Sequence, residues 1–198
     1  MIKFINLKKE VPYTIFREKY EEAHRKGQKN IEAVAISSYD CKKMEVESRF
    51  VNLKFVDDGS FIFFSNYKSP KSLAFESHNQ ISALLYWDSI NIQIRMKSKI
   101  SKTSIHFNKN YFKGRSLKKN ALAISSQQSS YIESYEGVQQ NFSKALNSSN
   151  LSECPEYWGG FSFAPYYFEF WEGHKSRLNK RDVYEKVDDA WNHHVLQP

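Results

Sequence analysis

The fold is decided by residues 48–71, which read SRFVNLKFVDDGSFIFFSNYKSPK. Apolar and polar side chains alternate through Arg49–Phe55, which predicts a β-strand with one buried face. Asp58-Gly59 is a turn signal, and Phe61–Ser65 returns as the expected hairpin partner. Ser69-Pro70 then offers a helix-capping residue followed by proline at the first helical position, so a short helix is expected to follow.

Outward from this stretch, the chain alternates short β-rich runs with a few helical segments. Helices are predicted over about 12–26, 69–78, 103–114 and 133–146. Further strands are predicted at 31–38, 81–87, 91–100, 157–164, 166–171, 183–187 and 190–196. Because most strands follow one another through turns, the fold class is α+β, mainly β, with an antiparallel barrel and peripheral helices.

Composition excludes several classes of protein. The 198 residues include 15 Phe, 12 Tyr and 4 Trp, too many aromatic residues for a disordered chain. No apolar run approaches the roughly 20 residues of a membrane helix, and no secretory signal is expected at the N-terminus. Cys41 and Cys154 lack metal-binding spacing, so we expect a cytoplasmic protein with no metal site and no membrane partner.

The charge balance points to an anionic partner. Lys and Arg number 29 against 22 Asp and Glu, a formal net charge of +7. No nucleic-acid-binding module or basic stripe is evident, so nucleic acid is not expected as the partner. Small phosphate ligands, or solubility alone, stay open as reasons for the charge. Dinucleotide-binding, P-loop, zinc-protease and serine-hydrolase motifs are also missing.

Several separated segments together resemble one family. They are residues 48–54, 63–71, Gln93, 111–115, 126–130, 157–161, 169–173, Arg177-Leu178, Arg181 and 196–198. At these segments, in order and with near-constant gaps, the chain resembles the pyridoxamine 5′-phosphate oxidase family. The resemblance covers nearly the whole chain, from about Pro12 to the C-terminus.

The resemblance implies a split β-barrel with Greek-key connections. It implies one FMN-binding domain over 1–198, with an N-terminal helical segment at 1–30 and C-terminal dimerisation and active-site strands at 156–198. It further implies a homodimer with FMN in two clefts at the interface. The implied reaction oxidises pyridoxine or pyridoxamine 5′-phosphate, a small phosphorylated pyridine, to pyridoxal 5′-phosphate, with O2 as acceptor and H2O2 as product.

The resemblance also implies which residues bind the cofactor. The FMN contacts are Arg49, Phe50, Val51, Phe64, Ser65, Lys71, Gln93, Gln128, Ser129, Trp171 and Arg181, with Gln128 and Ser129 reaching FMN from the partner subunit. A phosphate beside Lys71 agrees with the helix start at Ser69-Pro70, since helix N-termini favour anions. Pro70 stands where the family has Arg, so weaker FMN binding is expected.

The implied substrate contacts are Lys54, Tyr111, Arg115, Lys119, Arg177 and Asn179, of which Arg177 and Asn179 are the implied catalytic residues. Tyr111, Arg115 and Lys119 are four residues apart, a spacing that shares one helix face unless Gly114 breaks the helix. Arg49 and Lys54 are five apart, so they need a bulge or two separate pockets. Lys119 replaces the family's Ser, and Asn179 replaces its His.

Other interpretations stay open at this point. Arg49 and Lys54 can be solvated strand cations, Lys118-Lys119 a surface basic patch, and Trp171 a core residue. The alternatives to the main function are a phenazine-biosynthesis type of flavin oxidase with another substrate and a non-catalytic protein that binds FMN or pyridoxal phosphate. The Pro70 and Asn179 departures motivate the last of these.

Overall fold

The computed structural model describes residues 1–148 and 150–198, which form ten strands, five α-helices and a short 3-10 helix at 88–90. The strands are β1 Lys3–Ile5, β2 Ala33–Asp40, β3 Glu45–Asn52, β4 Phe55–Asp57, β5 Ser60–Asn66, β6 Gln80–Trp87, β7 Ile92–Lys102, β8 Trp158–Glu172, β9 Lys180–Val187 and β10 Ala190–Val195. The helices are α1 Val11–Arg25, α2 Pro70–Ser77, α3 Ile105–Lys113, α4 Leu117–Ser125 and α5 Tyr135–Ser148.

All ten strands belong to one curled, open sheet. Its order is β1-β4-β5-β8-β7-β6-β2-β3, with β9 paired to β8 and β10 paired to β9. The sheet is antiparallel, as predicted, apart from one pair, because β1 runs parallel to β4. A parallel pair needs a long crossover, and the intervening chain through α1, β2 and β3 supplies it.

The predicted hairpin forms, but with a shorter first strand. Asp58 and Gly59 both have positive φ angles, 43° and 77°, as the tight turn between β4 and β5 requires. The strand predicted over Arg49–Phe55 is interrupted, since the Leu53 amide bonds Glu32 and the Lys54 amide bonds Ile62. The chain therefore passes from the β2 side of the sheet to β5 at this point, and Lys54 lies in the break.

Helix α1 lies against the inner face of the sheet. Phe16 is fully buried and meets the Phe61 ring edge-on at 4.9 Å and the Trp87 ring at 5.6 Å. Tyr13 packs edge-on against Phe168 at 5.3 Å. This aromatic interior accounts for much of the unusual Phe and Tyr content, and its burial is the main stabilisation of the fold.

The two strands predicted on either side of Pro165 are one strand, β8. Its pairing with β7 shifts register between Lys97 and Ser98, which face Tyr167 and Pro165, so Tyr166 is the extra residue of a bulge. Proline is tolerated at a bulge because no ladder hydrogen bond is required from it there.

Two elements, strand β1 and helix α4, were not predicted from the sequence.

Among the described residues, none of the helices has the length and apolar character needed to cross a membrane.

Candidate functional site

A cavity of about 330 Å³ opens where the end of β3, strand β5 and helices α2, α3 and α4 meet the start of β8. Twelve residues line it: Phe50, Val51, Asn52, Lys54, Phe64, Ser65, Lys71, Tyr111, Arg115, Lys119, Gln128 and Trp158. Ten of the twelve are residues that the resemblance assigned to cofactor or substrate. The remaining two, Asn52 and Trp158, were not assigned from the sequence.

Four cations line this cavity: Lys54, Lys71, Arg115 and Lys119. None of the twelve lining residues is a carboxylate. Within the described residues, only Lys54 of these four forms an ion pair: its ammonium nitrogen lies 3.6 Å from a carboxylate oxygen of Glu32, which does not line the cavity. A cavity with this charge attracts anions and holds them best when they bring more than one negative charge.

Lys71 is the buried cation at one side of the cavity. Its ammonium group is held by the hydroxyls of Ser65 and Ser69, each at 3.2 Å, and the residue is 8% exposed. Burial and the neighbouring Arg49 charge lower the pKa of Lys71 to about 8. Two hydroxyls do not neutralise a buried ammonium, so an anion beside it would be strongly favoured.

Arg49 lies next to Lys71 without lining the cavity. Its guanidinium donates to the Ile36 carbonyl at 3.2 Å, to Ser38 at 2.8 Å and to Glu47 at 2.9 Å. Arg49 lies within β3, opposite Ile36 of β2, while Lys54 follows the break after Asn52 and lines the cavity. The strand break thus supplies the irregularity that the five-residue spacing of Arg49 and Lys54 required.

Arg115 lies in the link between two helices. Helix α3 ends at Lys113 with Gly114 as its cap, and α4 begins at Leu117. Gly114 therefore does break the predicted helix face, but Tyr111, Arg115 and Lys119 still converge on the cavity. Arg115 donates to the Lys119 carbonyl at 3.2 Å, and burial lowers the pKa of its guanidinium.

Aromatic rings form one wall of the cavity. Tyr111 stacks on Phe64 at 3.9 Å, and Phe64 stacks on Trp158 at 5.1 Å with 9° between the ring planes. Burial raises the pKa of Tyr111, which keeps its phenol protonated and able to donate a hydrogen bond. The cavity therefore combines cations for an anionic group with flat apolar surface for an aromatic ring.

Gln128 reaches Ser65 within its own chain. Its side-chain oxygen accepts from the Ser65 hydroxyl at 3.1 Å and from the Asn66 amide at 3.2 Å. This contact joins two residues of one chain, while the predicted contact of Gln128 with FMN on a partner subunit stays a prediction. Ser129 does not line this cavity but an adjacent one of about 390 Å³ formed largely by the 122–141 segment.

Three predicted cofactor residues form a separate row on the sheet. Gln93 on β7 faces Trp171 on β8, and Trp171 faces Arg181 on β9. Arg181 is tied by two hydrogen bonds, at 2.9 and 2.8 Å, to Glu169, which is 1% exposed. These three residues do not line the cavity.

Arg177 and Asn179 lie in the loop between β8 and β9. The Asn179 side chain accepts a hydrogen bond from the His174 amide at 3.0 Å, and the Arg177 amide donates to the His174 carbonyl at 2.9 Å. Arg177 has a φ of 60°, a left-handed conformation that only a well-bonded turn sustains in a non-glycine residue. Neither residue lines the cavity.

The length of strand β8 explains why the cavity residues and the row of Gln93, Trp171 and Arg181 are apart. Trp158 begins the strand at the cavity, and Trp171 lies near its other end. Thirteen strand steps span up to about 40 Å along the strand path. One chain therefore does not bring the cavity and the Gln93, Trp171 and Arg181 row together.

Comparisons with known proteins show which family the chain resembles. A family model described as the pyridoxine 5′-phosphate oxidase C-terminal dimerisation region matches residues 158–198. The chain is 32% identical over 189 residues to a pyridoxine/pyridoxamine 5′-phosphate oxidase of Colwellia psychrerythraea, covering 94% of this chain and 87% of the relative. A protein of the same name from Cytophaga hutchinsonii is 37% identical over 150 residues, covering 73% and 69%.

Solved structures share the fold. PhzG from Burkholderia lata, in complex with tetrahydrophenazine-1-carboxylic acid, superposes with a TM-score of 0.89 at 24% identity, covering 96% of this chain and 94% of that one. A pyridoxamine 5′-phosphate oxidase-related, FMN-binding protein from Nostoc punctiforme gives a TM-score of 0.78 at 13% identity, covering 96% and 100%. The mainly β split-barrel prediction is thereby confirmed, as an open sheet.

Proposed function

Since the chain belongs to the pyridoxine/pyridoxamine 5′-phosphate oxidase family, whose members are oxidoreductases, we propose that it is an FMN-dependent oxidase of pyridoxine or pyridoxamine 5′-phosphate. The products are pyridoxal 5′-phosphate and H2O2, and with pyridoxamine 5′-phosphate the reaction also consumes water and releases ammonia. One observation carries the proposal: four cations and a wall of stacked aromatic rings line the same cavity. Such a lining suits flat aromatic ligands that carry phosphate groups.

The residues around Lys71 fit the phosphate of FMN. The buried ammonium has hydroxyl partners, Arg49 adds a second positive charge nearby, and Lys71 itself lies in the first turn of α2, which begins at Pro70. An anion there would meet a charge-assisted donor and a helix N-terminus. Ser65 and Gln128 offer further hydrogen-bonding groups beside it.

The residues around Arg115 fit the phosphate of the substrate. Lys54, Tyr111, Arg115 and Lys119 all line the cavity, and their donors are two ammonium groups, a phenol and a guanidinium. An adjoining cavity of about 320 Å³ shares six residues with the first: Phe64, Ser65, Arg115, Lys119, Gln128 and Trp158. The two together provide room for a cofactor and a substrate side by side.

FMN, when bound, supplies the acceptor for the hydride equivalent from the substrate C4′ and passes the electrons to O2. The chain's own residues bind and orient. The cations fix the substrate phosphate, the aromatic wall excludes water from one face of the ring, and Arg177 with Asn179 orients the ring from the loop after β8. Asn179 cannot carry a positive charge, so it acts by hydrogen bonding and not as a proton shuttle.

The second half of the site comes from a second copy of the chain. Gln93, Trp171, Arg181, Arg177 and Asn179 lie away from the cavity in one chain, and the family model that covers 158–198 describes a dimerisation region. A homodimer brings the 171–181 segment of one protomer to the cavity of its partner. FMN would then bind at the interface, because each chain alone supplies only part of the residues of one site.

Turnover with matched substrates tests the proposal. The FMN-loaded protein should release H2O2 with pyridoxine 5′-phosphate and pyridoxamine 5′-phosphate, and should be at least a hundred-fold less efficient with unphosphorylated pyridoxine, about 3 kcal/mol of lost phosphate contacts. Equal efficiency with and without the phosphate would favour a flavin oxidase with a different substrate. FMN binding with no turnover of either would favour the non-catalytic alternative.

A further inference from the structure

The Arg115 guanidinium packs on the face of Trp158. Its central carbon lies 4.4 Å from the centre of the Trp158 ring and 5.4 Å from the centre of the Phe112 ring. Both distances are within the range of cation–π attraction, and Trp is the strongest partner for it. Trp158 also lines the cavity, although neither spacing nor resemblance gave it a role.

The Trp158 ring is itself held rigidly. Its amide donates to the Pro155 carbonyl at 3.0 Å, and its backbone pairs with Asn66 at the start of β8. The ring stacks on Phe64 and meets the Phe112 ring edge-on at 5.0 Å. With 6% of the residue exposed, the indole has no room to change rotamer and serves as a fixed surface.

Arg115 has unused donor capacity in the described structure. Its Nη2 donates to the Lys119 carbonyl, but its Nη1 is buried with no hydrogen-bond partner among the described residues. No carboxylate is paired with it in that part of the chain. A carboxylate would orient the guanidinium but would also neutralise it, whereas an aromatic face orients it and leaves its charge available.

We propose that Trp158 is a positioning residue: its indole face holds the Arg115 guanidinium in the orientation that binds the substrate phosphate, and so sets the preference for phosphorylated ligands. The inference rests on the proposed function and goes one step further, to a residue that acts through Arg115. It predicts that loss of the indole affects phosphate-bearing ligands selectively.

Direct binding to the FMN-loaded protein tests this. The probe is 4′-deoxypyridoxine 5′-phosphate, which has no oxidisable hydroxyl at C4′, and its unphosphorylated form is the control ligand. Trp158→Leu should raise the Kd of the phosphorylated probe about ten-fold, and Trp158→Phe, which keeps a smaller aromatic face, about three-fold. The Kd of the unphosphorylated probe should change by less than about two-fold.

A double-mutant cycle separates positioning from packing. In an Arg115→Gln background, Trp158→Phe should cause no further loss of affinity for the phosphorylated probe, because the interaction has already been removed. Steady-state kinetics should show a raised KM for pyridoxine 5′-phosphate with kcat nearly unchanged. If the Trp158→Leu variant does not fold, the measurements on Trp158→Phe are sufficient to test the proposal.

Three outcomes would overturn the inference: additive losses in the cycle, equal losses for both probes, or an unchanged Kd in Trp158→Phe and Trp158→Leu. Equal losses would assign Trp158 to contact with the pyridine ring. Failure of the proposed function is distinguishable, because the wild-type protein would then show no turnover of pyridoxine 5′-phosphate, whereas the binding comparison between the Trp158 variants would still be measurable.

Discussion

At the scale of single residues, the Lys71 ammonium combines deep burial with two hydroxyl partners at 3.2 Å. Because its pKa is lowered to about 8, the protonated form, which we propose binds the FMN phosphate, is lost as the pH rises through that value. FMN affinity should therefore fall several-fold between about pH 7 and pH 9, measured by quenching of flavin fluorescence.

Two controls make the Lys71 test specific. Riboflavin lacks the phosphate, so its weaker binding should not share the decline with pH. Lys71→Arg keeps the charge across this range and should abolish the decline. A decline of equal size in Lys71→Arg would assign the titration to another group.

Pro70 concerns the same phosphate. It occupies the first turn of α2, directly before Lys71, where the family resemblance expects Arg. Pro70→Arg adds a cation beside the helix N-terminus and should tighten FMN binding about ten-fold, by roughly 1.4 kcal/mol. Pro70→Ala is the matched control and should leave the affinity within about two-fold. Equal affinities in the Arg and Ala variants would show that the added charge does not reach the phosphate.

At the scale of elements, α3 is held to the start of β8 by a polar cluster. Asn108 accepts from the Gly160 amide at 2.8 Å and from Thr103 at 2.6 Å, and donates to Tyr67 at 2.9 Å. A Cβ at Gly159 would overlap the Tyr67 hydroxyl and the Asn108 amide. The cluster therefore depends on the absence of a side chain at this position.

Gly159→Ala should destabilise the fold by about 2 kcal/mol in denaturant unfolding, because the cluster must separate to admit the methyl group. It should also weaken substrate binding, since α3 carries Tyr111. Gly114→Ala is the control: Gly114 has a φ of −81°, and a Cβ there meets the Tyr111 carbonyl at 3.6 Å and the Asn110 carbonyl at 4.0 Å, both ordinary van der Waals distances. A stability change for Gly159→Ala no larger than for Gly114→Ala would contradict this account.

Local signals predicted most elements. Asp58-Gly59 and Ser69-Pro70 mark a turn and a helix start with residues that suit few other conformations, and both features form. Helix α4 was missed because only two of its residues, Asn120 and Ala121, are buried. This leaves little apolar periodicity to detect. The break at Leu53 was missed because it is set by hydrogen bonds to Glu32 and Ile62, which are distant in sequence or across a turn.

At the scale of the whole molecule, the site residues divide into two groups at opposite ends of β8. If the groups meet only across a dimer, mixing two inactive variants should restore activity. Arg115→Gln removes a cavity residue and Arg177→Ala a loop residue, so a mixed dimer keeps one intact site, and random exchange should restore roughly a quarter of wild-type activity. Sedimentation should give a particle of twice the 23.3 kDa chain mass.

The control for this experiment mixes Arg115→Gln with Lys54→Gln. Both substitutions lie in the cavity, so a mixed dimer has no intact cavity and activity should not return. No recovery in the first mixture, with dimers formed, would mean that each loop completes the cavity of its own chain.

The sequence could indicate the site only through the resemblance. Lys54, Tyr111 and Gln128 are far apart in sequence, and the sheet order is what brings them to one cavity. Trp158 was missed because a Trp at the start of a strand has the pattern of a core residue. The proposed role depends on the contact with Arg115, which is distant in sequence and reaches the ring only in the folded chain.

Oxidation of a phosphorylated pyridine by bound FMN can be observed directly in the visible absorption spectrum of the FMN-loaded protein during anaerobic addition of pyridoxine 5′-phosphate. We expect the flavin band to bleach, and to return on admission of O2 with release of H2O2. A protein that binds no FMN, or a flavin band that phosphorylated substrate leaves unchanged, would contradict this expectation.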